Sequence, residues 1–250
     1  MHNYLVGGLN GGTGRSLTAA LLAYGLHLHG QRTLLVRQTY DGFMPTIDPA
    51  ETTLPLPCCE MMLPAPHALP AELAGMQSFI DGADSRFMMA LRRLATTEVG
   101  EDAEIVIDLC CHERALNAAT LRDATLLLIP VRASALEIDG AVRTVAHTRH
   151  IERSRDLTVP TLLITIAPDI ERASQLELLS TLLRDCDPDR ELFQGDASEM
   201  VIEAPFLDAT SLLGLCDERP IWQDPQLIAR CHAFAAAVTA HANVLPTAPS

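Results

Sequence analysis

The chain has 250 residues and a mass of 27.1 kDa, with 48% hydrophobic and 20% charged residues. It is long enough to bury one substantial core, which excludes a disordered tail or a mini-protein. Its 18 basic residues, all arginine, stand against 32 acidic ones and leave a formal net charge of −14, which argues against a general electrostatic attraction to nucleic acid or to an anionic membrane.

Residues 4–6 are the first predicted strand, residues 14–29 the helix that follows, and residues 33–36 the second strand. Residues 38–70 contain seven prolines and are predicted to be irregular. Residues 71–98 are predicted as a helix in two pieces broken at Gly82. Residues 104–107 and 124–129 are predicted strands, and Pro130 is predicted to end the second of them.

The second half continues with a helix over 135–152, a strand over 161–166, a helix over 170–184 and a strand over 200–203. Two more helices are predicted over 206–215 and 224–242. Short apolar runs that alternate with segments of helical period predict an α/β fold with a doubly wound, mostly parallel sheet flanked by helices. We expect a single domain over residues 1–242 and a flexible tail over residues 243–250.

The seven cysteines show no regular spacing, so a disulfide framework is not predicted. Cys58-Cys59 and Cys110-Cys111, the second pair followed by His112, lack the spacing of zinc ligands, and small apolar core residues are the better interpretation. The sequence has neither the cationic start of a signal peptide nor an apolar run long enough for a membrane span. The expected compartment is therefore a reducing cytoplasm.

Residues 7–17 read GGLNGGTGRSL and lie between the first predicted strand and the first predicted helix. Glycines let successive backbone N–H groups turn inward, and the helix N-terminus adds partial positive charge, so the segment is a predicted phosphate-binding loop. A glycine-rich turn without a ligand is the alternative. The predicted nucleotide-binding residues are Asn10, Gly11, Gly12, Thr13, Gly14, Arg15, Ser16 and Leu17, and the Ser16 hydroxyl would also bind Mg²⁺.

This loop resembles that of the ParA/MinD family of deviant Walker A P-loop ATPases, which reads K-G-G-x-G-K-[ST]-[ST]; Gly11, Gly12, Gly14 and Ser16 match it. Residues 105–108 (IVID) resemble the Walker B strand, and residues 124–131 and 135–140 resemble the stretch that follows in the family. The resemblance runs along nearly the whole chain. It implies a P-loop fold, ATP and Mg²⁺ as ligands, and Asp108 as an outer-sphere metal ligand, although a helix-capping aspartate is the alternative.

Several positions depart from the family pattern. Asn10 replaces the signature lysine that reaches across a nucleotide-sandwich dimer, and Arg15 replaces the Walker A lysine. Arg37 and Thr39 replace the aspartate that ends the second strand and the switch I aspartate that positions the attacking water. Because phosphoryl transfer depends on positioned positive charge and an oriented water, we expect weak hydrolysis or none. Asp41 remains as the candidate catalytic carboxylate, in a segment that also reads as a turn.

Two functions follow from this resemblance. The first is an ATP-dependent dimerisation switch: a homodimer that binds a protein cargo or adaptor and positions or partitions plasmids or protein complexes. The second is a pseudo-ATPase scaffold, an accessory subunit of a secretion apparatus for cellulose or conjugation, which has lost the cycle and works by protein docking.

Two further segments of the sequence each have a functional and a structural interpretation. A basic cluster over residues 143–155 could contact DNA phosphates without sequence preference, but a solvated helix end is the simpler interpretation; its arginines are Arg143, Arg149, Arg153 and Arg155. The apolar run from Phe206 to Trp222, which holds the single tryptophan, is a candidate contact strip, and packing onto the sheet is its simpler interpretation.

Overall fold

The structure is a computed structural model that describes residues 1–40, 54–63, 77–110, 115–186, 200–208 and 221–244. Its strands are β1 (His2–Val6), β2 (Thr33–Tyr40), β3 (Cys58–Leu63), β4 (Glu104–Asp108), β5 (Leu126–Arg132), β6 (Thr161–Ile166) and β7 (Val201–Glu203). They form one parallel sheet in the order β3-β2-β4-β1-β5-β6-β7. The predicted α/β fold with a parallel sheet is confirmed.

Helices cover both faces of the sheet. They are α1 (Arg15–Leu28), α2 (Gln77–Glu98), α3 (Ala118–Arg122), α4 (Ala135–Arg155), α5 (Asp169–Cys186) and α6 (Pro225–Val244), with a 3₁₀ turn at Ile221–Gln223. Residues of α1 and α6 form one core cluster with one face of the sheet, and residues of α2 to α5 form the other. Because both faces are covered, every residue of β4 and of β6 is buried, as expected of a central parallel strand.

The α1–α6 contact is close because Gly25 lies in it. A Cβ at Gly25 would collide with the Cys231 carbonyl oxygen of α6 and lie 2.7 Å from the Ala235 Cβ. Trp222 precedes α6 and is buried against α1, where its ring meets the ring of Tyr24 edge to face with centroids 5.0 Å apart. The Tyr24 hydroxyl donates a hydrogen bond to the Trp222 carbonyl oxygen. Trp222 therefore belongs to the core and does not contribute to an exposed contact strip.

The prediction of an irregular segment over residues 38–70 was wrong at two places. Residues 38–40 extend β2, and residues 58–63 form β3, which pairs with β2 from Leu35↔Cys58 to Tyr40↔Leu63. Pro57 and Pro64 flank β3 and do not interrupt it, and the Pro57 carbonyl accepts a hydrogen bond from the Leu35 N–H. Proline can stand at the ends of a strand because only its missing N–H and its fixed φ restrict it.

Pro130 lies inside β5, although the sequence predicted that it would end the strand. Leu128, two residues before Pro130, directs its carbonyl toward β1 and accepts a hydrogen bond from the Gly7 N–H. Because residues two apart in a strand face the same neighbour, the nitrogen of Pro130 also faces the side of β1. The pairing of β5 with β1, however, ends at Leu128. The missing N–H of Pro130 therefore costs no sheet hydrogen bond.

Other boundaries also differ. Helix α2 runs through Gly82 without a break, since one interior glycine costs only about 1 kcal/mol; residues 71–76 lie outside the described residues. The short α3 was not predicted, and its first turn is capped by the Asn117 side chain, which accepts from the Thr120 N–H. Residues 206–208 are not helical. Helix α6 extends to Val244, into the predicted tail, of which residues 245–250 lie outside the described residues.

Candidate nucleotide-binding site

The glycine loop lies at the centre of the sheet, at the carboxyl ends of the parallel strands. It follows β1, which pairs with β4 on one side and β5 on the other. The Val6 carbonyl accepts from the Leu109 N–H at 3.0 Å, so the residues that follow β4 lie directly beside the start of the loop. In open parallel sheets this edge is where ligands bind.

The rim of the loop is built by two glycines with left-handed backbone. Gly12 has φ 77° and Gly14, the N-cap of α1, has φ 85°, a conformation that other residues adopt only with strain. A Cβ added at Gly11 or Gly12 would meet no atom within 4 Å, whereas one at Gly14 would lie 3.0 Å from the Ile166 side chain. The space over the rim is therefore open, and the N-terminus of α1 follows it directly.

The front of the loop is attached to α4. The Leu9 N–H donates to the Thr144 hydroxyl oxygen at 3.1 Å, and that hydroxyl donates to the Gly140 carbonyl at 2.8 Å. Asn10 packs over Gly140 so closely that a Cβ there would lie 2.6 Å from the Asn10 Cγ. Asn10 thus lies on a helix of its own chain. Thr144 and Gly140 were not predicted as site residues, because their separation from the loop in sequence hides the contact.

The rear of the loop is held by Arg15. Its Nη1 donates to the Gly8 carbonyl at 3.1 Å and to the Leu109 carbonyl at 3.2 Å. The guanidinium therefore ties the loop to the segment after β4 by two hydrogen bonds. Arg132, at the end of β5, donates from its Nη1 to the Gly12 carbonyl at 3.4 Å and is another residue that the sequence did not point to.

Ser16 and Asp108, the two predicted magnesium ligands, lie together. Asp108 is only 6% exposed, and its carboxylate accepts a hydrogen bond from the Ser16 hydroxyl. Arg37 on β2 places its Nε 3.6 Å from an oxygen of that carboxylate. Burial raises the pKa of Asp108, while the Ser16 hydrogen bond and the charges of Arg15 and Arg37 oppose that rise.

These residues fit a magnesium ion only in part. A hydroxyl and a carboxylate are oxygen ligands of the kind that Mg²⁺ takes in phosphate sites. The charge around them is different, because guanidinium groups act on the carboxylate that a divalent cation would share. The donor atoms are suitable, but the positive charge beside them does not favour a metal ion.

The remaining predictions about the site divide into two groups. Asp41, Cys111 and His112 lie outside the described residues, while Thr39 lies in β2. Over the described ranges, three or more His, Cys, Asp or Glu side chains nowhere cluster as a metal would require.

Gln38, which the sequence did not single out, is 2% exposed, and its Oε1 accepts from the Cys110 N–H at 3.4 Å, so it links β2 to the segment after β4.

The basic cluster lies on α4 and is partly neutralised by neighbouring acids. Arg143 pairs with Asp139 at 2.8 Å. Arg149 pairs with Glu152 at 2.7 Å and donates to the Val159 carbonyl, so it stabilises the end of its own helix. Arg153 and Arg155 are exposed. Contact with DNA remains a prediction.

Comparison with known proteins identified similar solved structures. A complex of ATP with a variant of McdA from Cyanothece is 15% identical, with 100% of this chain and 99% of that chain covered and a TM-score of 0.59. The MinC:MinD cell division protein complex of Aquifex aeolicus is 13% identical, with 100% and 98% covered and a TM-score of 0.57. Cobyrinic acid a,c-diamide synthase of Mycobacterium smegmatis with bound ADP and magnesium is 18% identical, with 100% of both chains covered and a TM-score of 0.56.

At these identities the likeness shows the fold, and the P-loop NTPase-like α/β fold that the resemblance implied is confirmed. No family model and no curated protein matches the sequence. Among the helices that the structure describes, none combines the length and the hydropathy that crossing a membrane requires.

Proposed function

We propose that this chain is a ParA/MinD-like nucleotide-binding protein that acts in the cytoplasm. In this proposal ATP bound in the glycine loop favours a homodimer, which binds a protein cargo or adaptor and serves to position or partition plasmids or protein complexes. The observation that carries the proposal is the open rim at Gly11 and Gly12, directly before the N-terminus of α1. Backbone N–H groups and a helix N-terminus are together a site for phosphate.

The side chains around the loop argue for binding without efficient turnover. Asn10 packs on its own α4 and carries no charge toward a second nucleotide site. Thr39 is neutral and cannot accept a proton from an attacking water as a carboxylate does. Since positioned charge and an oriented water supply most of the rate in phosphoryl transfer, the proposed protein hydrolyses its nucleotide weakly or not at all.

A second candidate is the pseudo-ATPase scaffold of a secretion apparatus. It is favoured by the contacts that hold the loop without any ligand: Leu9 on Thr144, and Arg15 on the Gly8 and Leu109 carbonyls. A loop whose shape depends only on the protein can persist after nucleotide binding is lost. Under this candidate the fold is retained for docking of a protein partner.

Calorimetric titration with ATP in the presence of Mg²⁺, followed by light-scattering measurement of the mass, tests the proposal. We expect heat of binding and a doubling of mass on addition of ATP. If neither appears at high protein concentration, the switch is excluded and the scaffold remains. Binding of ATP without a change in mass would retain nucleotide binding and remove the dimerisation step.

Two glycines provide a matched pair of variants. Gly12 (φ 77°) and Gly30 (φ 75°) share a left-handed backbone, and a Cβ at either meets no atom within 4 Å. Alanine at each should cost about 1–2 kcal/mol of stability through the same backbone strain. Only Gly12→Ala places a methyl group over the open rim, so we expect ATP affinity to fall about tenfold or more in that variant and to stay unchanged in Gly30→Ala. Equal affinities in both variants would exclude the rim as the binding site.

A further inference from the structure

The last strand of the sheet, β7, has an outer edge with which no other described strand pairs. Its one neighbour in the sheet is β6, and the Ala204 N–H, directly after β7, donates to the Thr165 carbonyl of that strand. Because successive residues of a strand direct their backbone groups to opposite sides, Ile202 also faces β6. The N–H and C=O groups of Val201 and Glu203 therefore face the outer edge.

A cavity of about 570 Å³ lies against this edge. Consecutive residues from Ile202 to Phe206 line it, together with side chains of α5 on one face of the sheet and of α6 on the other. Since β6 covers the inner side of β7, a cavity that contacts all three elements lies on the outer side. Its walls are largely apolar, with Pro205, Phe206 and Phe234 among them, and its volume is typical of a ligand cleft.

The charged side chains of the cavity leave one guanidinium without a carboxylate. Glu203 is held by Arg172 at 2.7 Å. Arg230 on α6 is exposed and donates from its Nη1 to the Phe206 carbonyl at 3.4 Å, and within the described residues it forms no ion pair. The lining thus combines two arginines with one carboxylate, in a chain whose formal net charge is −14. This local positive charge favours an acidic ligand.

We propose that the outer edge of β7 binds an extended acidic segment of a protein partner, which adds to the seven-stranded sheet as a further strand. Its backbone bonds the outward groups of Val201 and Glu203, and an acidic side chain pairs with Arg230. Apolar side chains two residues before and after that acid lie on the same face and fill the cavity against Phe206 and Phe234. Main-chain bonds supply affinity and the alternate side chains supply specificity, as in other cases of strand addition.

The inference goes beyond the proposed function and does not depend on nucleotide binding. In the order of the sheet, β5 and β6 separate β7 from β1, which leads into the glycine loop. The described edge has three residues, and edges this short favour docking of one segment over open-ended association between sheets.

Fluorescence anisotropy with labelled peptides tests the inference on the wild-type protein without ATP. The probe is acetyl-Leu-Thr-Glu-Thr-Leu-amide, in which both leucines and the glutamate share a face in either strand direction. We expect saturable binding with a dissociation constant of about 0.1 mM. No saturation up to about 1 mM protein would overturn the inference and leave the proposed nucleotide binding untouched.

Two altered peptides separate strand addition from general adhesion. Lysine in place of the glutamate should weaken binding at least about fivefold, because it meets Arg230 with a like charge. Methyl groups on two successive central backbone nitrogens place one methyl toward β7 in either register, so we expect binding to be lost. Equal affinity of either altered peptide would exclude this mode of binding.

Arg230→Gln tests the same contact from the side of the protein, with Arg92→Gln as the matched control. Arg92 is also an exposed arginine on a helix, but it pairs with Asp123 at 2.8 Å and lies on α2. We expect Arg230→Gln to weaken binding of the glutamate peptide about three- to fivefold and to remove its preference over the lysine peptide, while Arg92→Gln behaves as the wild type. An unchanged preference in Arg230→Gln would overturn the assignment of Arg230.

Discussion

The front and the rim of the glycine loop differ in what surrounds them. At the front, the Leu9 N–H and the Asn10 side chain are held by α4, through Thr144 and Gly140. At the rim, Gly11 and Gly12 face open space. One half of the loop is therefore part of the packed protein, and the other half is left free for a ligand.

This difference indicates that contacts within the protein fix the shape of the loop without a ligand. The anchors come from α4 at the front and from Arg15 at the rear, which bonds the Gly8 and Leu109 carbonyls. A preformed site loses less conformational entropy on binding. If the anchors hold the loop and the rim binds the ligand, substitutions at the anchors should alter the free energy of unfolding, and substitutions at the rim should alter the affinity for ATP.

The largest effect on stability is expected from Gly140→Ala. The added Cβ would lie 2.6 Å from the Asn10 Cγ, and overpacking of this kind costs about 1–3 kcal/mol. Alanine otherwise stabilises a helix interior by about 1 kcal/mol relative to glycine, so the sign of the effect is itself informative. We expect a lower free energy of unfolding in urea denaturation.

The control for Gly140→Ala is the double variant with Asn10→Ala. Asn10→Ala removes the two atoms closest to the new methyl group and leaves the Asn10 Cβ at 3.3 Å, so Gly140→Ala should become neutral or stabilising in that background. Equal costs of Gly140→Ala with and without Asn10 would contradict the proposed anchor at the front of the loop.

A smaller effect is expected from Arg15→Lys, which tests the rear anchor. Both hydrogen bonds, to the Gly8 and the Leu109 carbonyls, come from Arg15 Nη1. The lysine side chain is shorter than that of arginine, so its ammonium group does not reach the same position. We expect a loss of about 1 kcal/mol in the free energy of unfolding, the usual value of one hydrogen bond. Arg92→Lys, at an exposed ion pair with Asp123, should change it by less than about 0.5 kcal/mol. If Arg15→Lys loses no more free energy of unfolding than Arg92→Lys, Arg15 does not act as an anchor at the rear of the loop.

The smallest expected effect is a change in the pH dependence of stability in Asp108→Asn. Burial raises the pKa of Asp108 above its ordinary value of 3.8, so in the window above that value the native state binds more protons than the unfolded state. The contribution of the Asp108 carboxyl to the free energy of unfolding is fully present below pH 3.8, and it is lost as the pH rises through the raised pKa of that group,. Asp108→Asn removes this component, and denaturation at a series of pH values measures the slope.

Ser16→Ala should act on the same slope in the opposite direction. The Ser16 hydrogen bond lowers the pKa of Asp108, so its loss raises that pKa further and extends the loss of stability to higher pH. An unchanged pH profile in Asp108→Asn and in Ser16→Ala would show that the Asp108 carboxyl does not titrate in this way.

Periodicity was sufficient to predict the order of most strands and helices, but it failed where tertiary pairing decides. The strand β3 has prolines on both sides, and only its pairing with β2 from Cys58 to Leu63 makes it a strand. Pro130 is tolerated inside β5 because β1 no longer pairs there. Local sequence shows neither which strand an edge strand pairs with nor where a central strand loses its pairing on one side.

The sequence indicated the parts of the candidate site that lie in local motifs, but not the contacts between residues that are far apart in the sequence. The glycine loop, Ser16 and Asp108 follow from one motif and one strand end, and the structure brings Ser16 and Asp108 together. The contacts of Asn10 with Gly140 and of Arg132 with Gly12 join segments more than 100 residues apart. Such contacts depend on which strands and helices become neighbours in the sheet, and a single sequence gives no direct signal of that.

The packing of Trp222 gives this molecule an internal optical reporter. The only indole of the chain lies edge to face against Tyr24, on the helix whose first turn follows the glycine loop. A displacement of that helix changes the surroundings of the indole ring. Emission of the native protein therefore offers a label-free signal for events at the loop, and no engineered fluorophore is required.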